Sequence, residues 1–161
     1  MFRIMRRADQ SLSAEETERI LTSGTDGVLG VNGDGGYPYT VPLNYAYIDG
    51  KIYFHCAAAG HKIDSIKNDD KVSFCVIDKN RVVPSVFSTA FASVIAFGRA
   101  RVVEDEGEKR AAIYAITEKF ASAHMERAKA DIEKTMQHLG IVEITIEHVT
   151  GKSAKKSVMD A

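Results

Sequence analysis

The stretch GYPYTVPLNYAYIDGKIYFHCAAAGHKID, residues 36–64, places two runs of aromatic and β-branched residues on either side of an Asp-Gly pair. Such runs form strands, and Asp49-Gly50 suits a two-residue hairpin turn, so we expect an antiparallel β-hairpin here. Pro42 lies within the first run and cannot donate a hydrogen bond to a neighbouring strand. It therefore marks an edge strand or a bulge, where backbone groups are left free.

The segments on both sides of this stretch continue the antiparallel pattern. Upstream, DGVLGVNGDGGYPY predicts strand, tight turn and strand, because the Gly-rich NGDGG offers positions for positive φ. Downstream, KVSFCVI, SVIAFGRARVVED and IVEITIEHVT predict further strands, whereas DKNRVVPSVFSTAFA predicts a loop that enters the second of them. Hairpin connections favour an all-β barrel or sandwich of roughly six or seven strands over a doubly wound sheet.

Peripheral helices are predicted near the start of the chain, near its middle and before the last strand. SAEETERILTSG, residues 13–24, has Ser13 and Glu16 spaced as in a capping box, and Gly24 can end the helix. HKIDSIKND predicts a short helix. EGEKRAAIYAITEKFA and MERAKADIEKTMQHLG predict two more helices, the second ended by Gly140.

Composition indicates an ordinary globular protein. The 161 residues are 45% hydrophobic and 27% charged with a net charge of −1, which gives no reason to expect nucleic acid or an acidic membrane as a partner. No apolar run is long enough to span a bilayer, and no secretory signal opens the chain. Cys56 and Cys75 lie in apolar runs, as buried free thiols do. We expect one cytoplasmic domain over residues 1–161, with a flexible tail over 153–161.

Gly60, His61 and Lys62 form the first candidate site. At a helix start, unpaired N–H groups attract anions, Gly60 lets a ligand approach the backbone, and Lys62 adds a full charge. Helix starts with a nearby Lys are common, so on the residues alone a turn with two solvated side chains is the more frequent explanation of such a segment.

Two further features admit a functional reading. The free backbone around Pro42 could recognise a planar heterocycle, although an ordinary edge strand also accounts for it. His55 ends a strand just before the anion segment and could donate a proton near a redox cofactor, or could be a surface histidine. Nucleotide-binding fingerprints, zinc motifs and a serine-hydrolase elbow are absent from the sequence, and the scattered histidines do not suggest a metal site.

Four motifs together resemble one known family. GYPY-x-VPL-x-Y, DGKIYFH, GHKID and VIAFGRA follow one another in the order found in the flavin-binding split-barrel family that includes pyridoxamine 5′-phosphate oxidase. The chain is most similar to its Nim type, named for resistance to 5-nitroimidazole drugs. The resemblance runs from about residue 5 to residue 152.

The resemblance implies a six-stranded antiparallel split barrel with peripheral helices, forming a homodimer with FMN at the interface. The GHK segment matches the phosphate site of the family, and the TVPL segment matches the strand whose backbone lines the flavin ring. His55 matches a histidine beside the flavin in Nim-type relatives, so the resemblance implies a catalytic role for it. The cofactor-binding residues expected on these grounds are Thr40, Val41, Pro42, Leu43, His55, Cys56, Gly60, His61, Lys62 and Ser93.

The function implied is an FMN-dependent reductase of small electrophiles such as nitroaromatic compounds. A flavin-storing or flavin-sensing protein without turnover, a haem-binding relative of the same fold, and a plain dimerisation scaffold are the alternatives. The C-terminal KSAKKSVMDA does not match the substrate-binding end of pyridoxamine phosphate oxidases, so we do not expect oxidation of pyridoxamine phosphate. His61 stands where many relatives have Arg, which predicts a modest and pH-dependent affinity for FMN.

Overall fold

The computed structural model describes residues 1–161 and consists of one antiparallel sheet with helices around it. The strands are β1 (Asp26–Asn32), β2 (Pro38–Asn44), β3 (Ala46–Ile48), β4 (Lys51–Ala57), β5 (Lys71–Val83), β6 (Ser88–Val102) and β7 (Leu139–Ser153). The helices are α1 (Ala14–Ser23), α2 (His61–Asn68), α3 (Glu106–Ala121), α4 (Met125–Thr135) and α5 (Lys156–Met159). The strand order is β2-β1-β5-β6-β7-β4-β3. This is the open, split-barrel type of sheet that the resemblance implied, with all neighbouring strands antiparallel.

The structure has seven strands, so the six strands that the resemblance implied were wrong, and the count lies within the six or seven expected from the hairpin pattern. The additional strand arises because Tyr45 divides the run YTVPLNYAYI into β2 and β3, which lie at opposite edges of the sheet. Since one residue joins the two edges, the sheet must curve until they meet at Tyr45. The Tyr45 side chain is fully buried there and donates a hydrogen bond of 2.7 Å to the Leu21 carbonyl.

Two apolar clusters hold the sheet and the helices together. The larger one fills the concave side of the sheet and includes Phe54 and Phe74. The smaller one packs the convex side of β4 and β7 against α3, and its central residues are Ile113, Ile116 and Ile141. Because α3 covers the convex side, β7 is buried on both faces over residues 141–144. The sequence of β7 alternates strictly between polar and apolar residues, but over residues 141–144 the polar side of the strand is buried and does not face solvent.

The segment DKNRVVPSVFSTAFA forms a β-hairpin, and the expectation of a loop was wrong. β5 and β6 stay paired from Lys79↔Ala92 to Val83↔Ser88, after a register shift at Asp78. A short 3₁₀ turn closes the hairpin, and Phe87 follows it with φ of 48°. The polar residues and Pro84 suggested a loop, whereas long-range pairing made the segment an extended arm.

The structure confirms the predicted start of the first helix but not the predicted end of the last long helix. Ser13 caps α1 as expected, accepting a hydrogen bond of 3.1 Å from the Glu16 amide, and the Glu16 carboxylate accepts from the Ser13 amide in return. The last long helix does not extend to Gly140, because α4 ends at Thr135 and Gly140 already belongs to β7. The one-domain organisation and the flexibility of residues 153–161 stay predictions. None of the helices combines the length and hydropathy that a membrane span requires.

Candidate functional site

The start of α2 presents unpaired backbone donors to the surface. Gly60 occupies the N-cap position with φ of 126°, and open space surrounds the place where a side chain would begin. The first hydrogen bond within the helix runs from the Ile63 amide to the Gly60 carbonyl at 2.8 Å. The amides of Gly60, His61 and Lys62 have no partner in the protein. Lys62 belongs to none of the ion pairs, so this helix start carries an uncompensated positive charge.

Aromatic stacking joins the start of α2 to β2. The His61 imidazole lies against the Tyr39 ring with 4.2 Å between the centroids and 15° between the planes. Its Nε2 atom is 3.6 Å from a carboxylate oxygen of Asp34, which lies in the turn before β2. The two segments that the sequence linked to phosphate and to flavin ring are therefore neighbours in space.

β2 is an edge strand whose outer side has no partner. It pairs with β1 without interruption from Asn32↔Pro38 to Asp26↔Asn44. Pro42 therefore marks an edge strand and not a bulge, since no residue of β2 is skipped in the register. The side chains of Thr40 and Pro42 are exposed, whereas those of Val41 and Leu43 are half-buried against the larger apolar cluster.

β4 separates two candidate residues that are adjacent in sequence. Cys56 packs against the larger apolar cluster, on the concave side of the sheet. Burial raises the pKa of the Cys56 thiol, and the nearby charge of Lys62 lowers it in part. His55 points to the convex side, where it lines a cavity of about 330 Å³ with residues of α3 and α4. Cys56 and Lys62 are thus close together, while His55 faces the helical layer.

Ser93 lies in a different part of the surface. It lines a cavity of about 360 Å³ on the outer side of β6, together with Phe97 and His148. The largest cavity, of about 590 Å³, also borders β7 and contains none of the candidate residues. The structure therefore brings β2, Cys56 and the start of α2 together and places His55 and Ser93 beside separate cavities.

A charged cluster around Glu143 was not anticipated from the sequence. Glu143 lies in β7 under α3 and is 2% exposed. Its carboxylate accepts hydrogen bonds from the Tyr53 hydroxyl at 2.7 Å, from Arg101 at 2.9 Å and from the Lys51 ammonium at 3.1 Å. Burial alone would raise the pKa of Glu143, but these hydrogen bonds and the charge of Arg101 lower it to about 2.

The signal for this cluster was present but unspecific. Glu143 occupies the polar side of an alternating strand, and the same pattern is typical of a solvated face. Only the position of α3 over β7 buries that face. Arg101 also pairs with Glu108 of α3, so the cluster fastens the helix to the sheet.

Comparisons with known proteins agree with this fold. The family model of pyridoxamine 5′-phosphate oxidase matches residues 13–153. A conserved hypothetical protein from Mycobacterium tuberculosis superposes with a TM-score of 0.82 at 23% identity, over 96% of this chain and 92% of its own. The flavocytochrome Anf3 from Azotobacter vinelandii superposes with a TM-score of 0.81 at 19% identity, over 94% of this chain and 72% of its own.

A third similar structure is that of a candidate 5-nitroimidazole antibiotic resistance protein from Bacteroides thetaiotaomicron. It superposes with a TM-score of 0.70 at 20% identity, over 88% of this chain and 85% of its own. No curated protein matches the chain. At these levels of identity, the likeness to solved structures concerns the fold.

Proposed function

Because the chain belongs to the pyridoxamine 5′-phosphate oxidase family, we propose that it is a flavoprotein that binds FMN. The start of α2 would hold the phosphate, and the free edge of β2 would lie along the flavin ring. The observation that carries this proposal is the stacking of His61 on Tyr39, which brings the two segments side by side.

The start of α2 fits a phosphate group. Three amides without protein partners, those of Gly60, His61 and Lys62, are available as donors, and the Lys62 ammonium has no ion pair. A phosphate monoester carries roughly −1.5 to −2 charges at neutral pH, which such a helix start attracts. Asp34 lies on the far side of His61 and would oppose the phosphate, and a protonated His61 would offset its charge.

The free edge of β2 fits a planar heterocycle that needs backbone donors and acceptors. Its outer N–H and C=O groups have no neighbouring strand. FMN bound there would supply reversible two-electron chemistry. Outward amides of β2 would stabilise negative charge on the ring, because fixed dipoles need no reorganisation when that charge develops.

We further propose that the protein reduces small electrophiles, such as nitroaromatic compounds or 5-nitroimidazoles, with a reduced nicotinamide nucleotide as the electron source. His55 would supply the proton; because it lies on the opposite side of β4 from Cys56, this role requires the electrophile to extend from the flavin to the cavity beside His55. The His55 imidazole borders a cavity of about 330 Å³ whose walls are half apolar, with Ile113 and Leu139 among the apolar residues. The likeness to a candidate 5-nitroimidazole resistance protein supports this choice of substrate class.

A second copy of the chain would complete the site. β5 and β6 expose the apolar side chains of Ile77, Val82, Ile95 and Phe97, and the turn between the two strands exposes Phe87. A face of this kind is more typical of a protein interface than of a solvated surface. We therefore propose a homodimer with FMN at the seam, in which Ser93 of this face approaches the cofactor.

Two alternatives share the same fold. A flavin-binding protein without turnover would use the same residues of α2 and β2. The second alternative is a haem-binding function. It is supported by the similarity to a flavocytochrome, whose name implies a haem in addition to a flavin.

An absorbance spectrum of the purified protein, followed by mass spectrometry of the released compound, tests the proposal. We expect a flavin spectrum and the mass of FMN, whereas a colourless protein that FMN does not stabilise would contradict it. Bleaching by NADH or NADPH and recovery on adding a nitroimidazole would support reductase activity. His55→Ala should retain FMN and slow the recovery, with His138→Ala as the matched control. Equal rates for wild type and His55→Ala would exclude the proton-donor role.

A further inference from the structure

The largest of the cavities described adjoins the one that Ser93 lines, with which it shares Arg3, His148 and Thr150, and it is separate from the start of α2 and the edge of β2. It measures about 590 Å³ and lies between residues 3–8, α1, Tyr47 of β3 and residues 148–151 of β7. None of the residues proposed to hold the phosphate or the ring of FMN lines it. A cavity of this size can enclose much of a small organic molecule.

The floor and two walls of the cavity are rigid. The Leu12 amide donates a hydrogen bond of 3.0 Å to the Gly151 carbonyl, which ties the start of α1 to β7. A side chain at Gly151 would collide with Thr17, so α1 rests directly on the strand. Leu12 and Leu21 supply the apolar surface, and Thr17 donates its hydroxyl hydrogen to the Ser13 carbonyl. These parts of the cavity are therefore fixed in position.

The remaining wall is loosely attached. No backbone hydrogen bond joins residues 1–6 to the rest of the protein. The segment is held by the Phe2 ring, which stacks on His148 with 4.6 Å between the centroids and lies 5.6 Å from the Phe97 ring, and by a contact of 3.3 Å between the Ser11 hydroxyl and the Met5 sulfur. A wall held by three side-chain contacts and no backbone hydrogen bond can move aside and admit a ligand.

Charge is distributed unequally across the cavity. Arg3, which takes part in no ion pair, lies on one side with His148 and Thr150, whose side chains have no hydrogen-bond partner in the protein. On the other side, burial and the negative charge of Glu18 raise the pKa of Tyr47. The hydrogen-bond donors therefore lie on the side of the cavity that Arg3 lines, and the Glu18 carboxylate lies on the side that Tyr47 lines.

We propose that this cavity binds an aromatic, mainly apolar molecule that carries one anionic group. The anionic group pairs with Arg3 near His148 and Thr150. The aromatic body rests on Leu12 and Leu21, between the Tyr47 and His148 rings. This orientation keeps the anion away from Glu18, and it satisfies donors that have no partner in the protein.

Fluorescence titration with 1-anilinonaphthalene-8-sulfonate, an aromatic anion, tests the proposal on the full chain. Arg3→Gln should weaken binding by about tenfold, the lower end of what the loss of a charged hydrogen bond costs. Glu18→Gln removes a charge of the opposite sign at the other side, so it should leave the affinity equal or increase it. Arg127→Gln on α4 is the control for loss of an exposed arginine. Arg3→Gln and Glu18→Gln shifting the affinity in the same direction would overturn the proposal.

A second variant blocks the cavity without touching its charged groups. Ala14 is an exposed residue of α1 that lines the cavity, and Ala14→Trp should fill the space and abolish dye binding. Ala130→Trp, on the exposed side of α4, is the matched control. Dye could also bind to the exposed apolar side chains of β5 and β6. Ile77→Ser, on that face, measures how much of the fluorescence comes from dye bound there and not in the cavity. Unchanged dye affinity in a folded Ala14→Trp protein would overturn the proposal, and Arg3→Gln still tests it if that variant does not fold.

Haem and other aromatic acids share the chemistry proposed for the ligand, because haem is an aromatic ring with anionic propionates. Titration with haemin distinguishes between these two classes. A Soret shift that His148→Ala removes would identify haem as the ligand class. Dye binding that depends on Arg3, without a Soret shift, would identify an aromatic acid other than haem. Absence of binding by both probes at concentrations up to solubility would overturn the proposal.

Discussion

The start of α2 and the cluster around Glu143 are two polar regions that differ in whether their hydrogen-bonding groups have partners within the protein. At the start of α2, three amides and the Lys62 ammonium are unpaired, and Lys62 is half-buried. Around Glu143, a buried carboxylate accepts hydrogen bonds from three side chains. The first arrangement leaves interactions available for a ligand, and the second uses them to fix α3 on the sheet. We therefore expect substitutions in the two regions to affect different quantities.

Glu143→Gln should have the largest effect on stability. It removes the charge that holds Arg101 and Lys51 and leaves a buried amide group facing these donors. The free energy of unfolding should fall by about 2–4 kcal/mol, below the full cost of breaking a buried pair because both cations are partly exposed. Urea unfolding measures this change.

Glu147→Gln is the matched control, because Glu147 pairs with Arg99 at the surface of the same strand. It should cost less than about 1 kcal/mol. FMN affinity should be the same in both variants. A loss of FMN binding in folded Glu143→Gln would mean that the Glu143 cluster also affects ligand binding, which would contradict the separate roles of the two regions.

The same comparison can be made by changing pH. The pKa of Glu143 is about 2 in the folded protein against an ordinary value of 4.5, so its stabilising contribution is complete above pH 4.5. That contribution is lost as the pH falls from 4.5 towards 2, because over this interval the carboxylate takes up a proton in the unfolded state more readily than in the folded state. The difference in stability between wild type and Glu143→Gln should therefore shrink over this interval. A difference that stays constant down to pH 2 would contradict the assignment of the lowered pKa to Glu143.

The contrast also explains which parts of the protein could be predicted from sequence. Asp49 and Gly50 both have positive φ, and the hairpin between β3 and β4 was predicted from these two residues and the strand-forming runs beside them. The capping box of α1 and the glycine at the start of α2 were likewise visible, because the interactions involved span only a few residues. Local geometry is encoded locally, so short motifs are sufficient to find it.

The features that were missed depend on contacts between distant segments. Tyr45 was not recognised as the corner of the sheet because its partner Leu21 lies in α1. The burial of Glu143 depends on α3 covering β7, and the arm of β5 and β6 depends on pairing across a proline-containing turn. Nothing in the residues near Glu143 separates a carboxylate covered by a helix from one on a solvated strand. For the same reason, the side of β4 on which His55 lies could not be predicted from its motif.

Lys62→Ala should change ligand binding and leave folding almost unaffected. The ammonium has no ion pair in the protein, so its removal leaves no buried group unsatisfied. We expect FMN binding to weaken by about 1–3 kcal/mol, the scale of a lost charged hydrogen bond, as measured by flavin fluorescence quenching. Lys67→Ala, in the last turn of the same helix, is the control and should leave the dissociation constant unchanged. An unaltered affinity in Lys62→Ala would remove Lys62 from the phosphate site.

His61→Arg should have the smallest effect and is the most specific test of the proposed phosphate site. An arginine keeps its charge at every physiological pH and can stack on Tyr39 as the imidazole does. FMN binding should tighten by about 0.5–1 kcal/mol, because the guanidinium places a permanent charge beside the phosphate. His124→Arg, at an exposed position before α4, should change nothing.

Asp34 limits the gain, because its carboxylate lies 3.6 Å from the His61 ring and would compete with the phosphate for the new guanidinium. Asp34→Asn combined with His61→Arg should therefore tighten FMN binding more than the sum of the two single changes. Strict additivity would mean that Asp34 does not compete for the side chain at position 61. Weaker binding in His61→Arg alone would show that the side chain at position 61 acts through its stacking on Tyr39 and not through its charge.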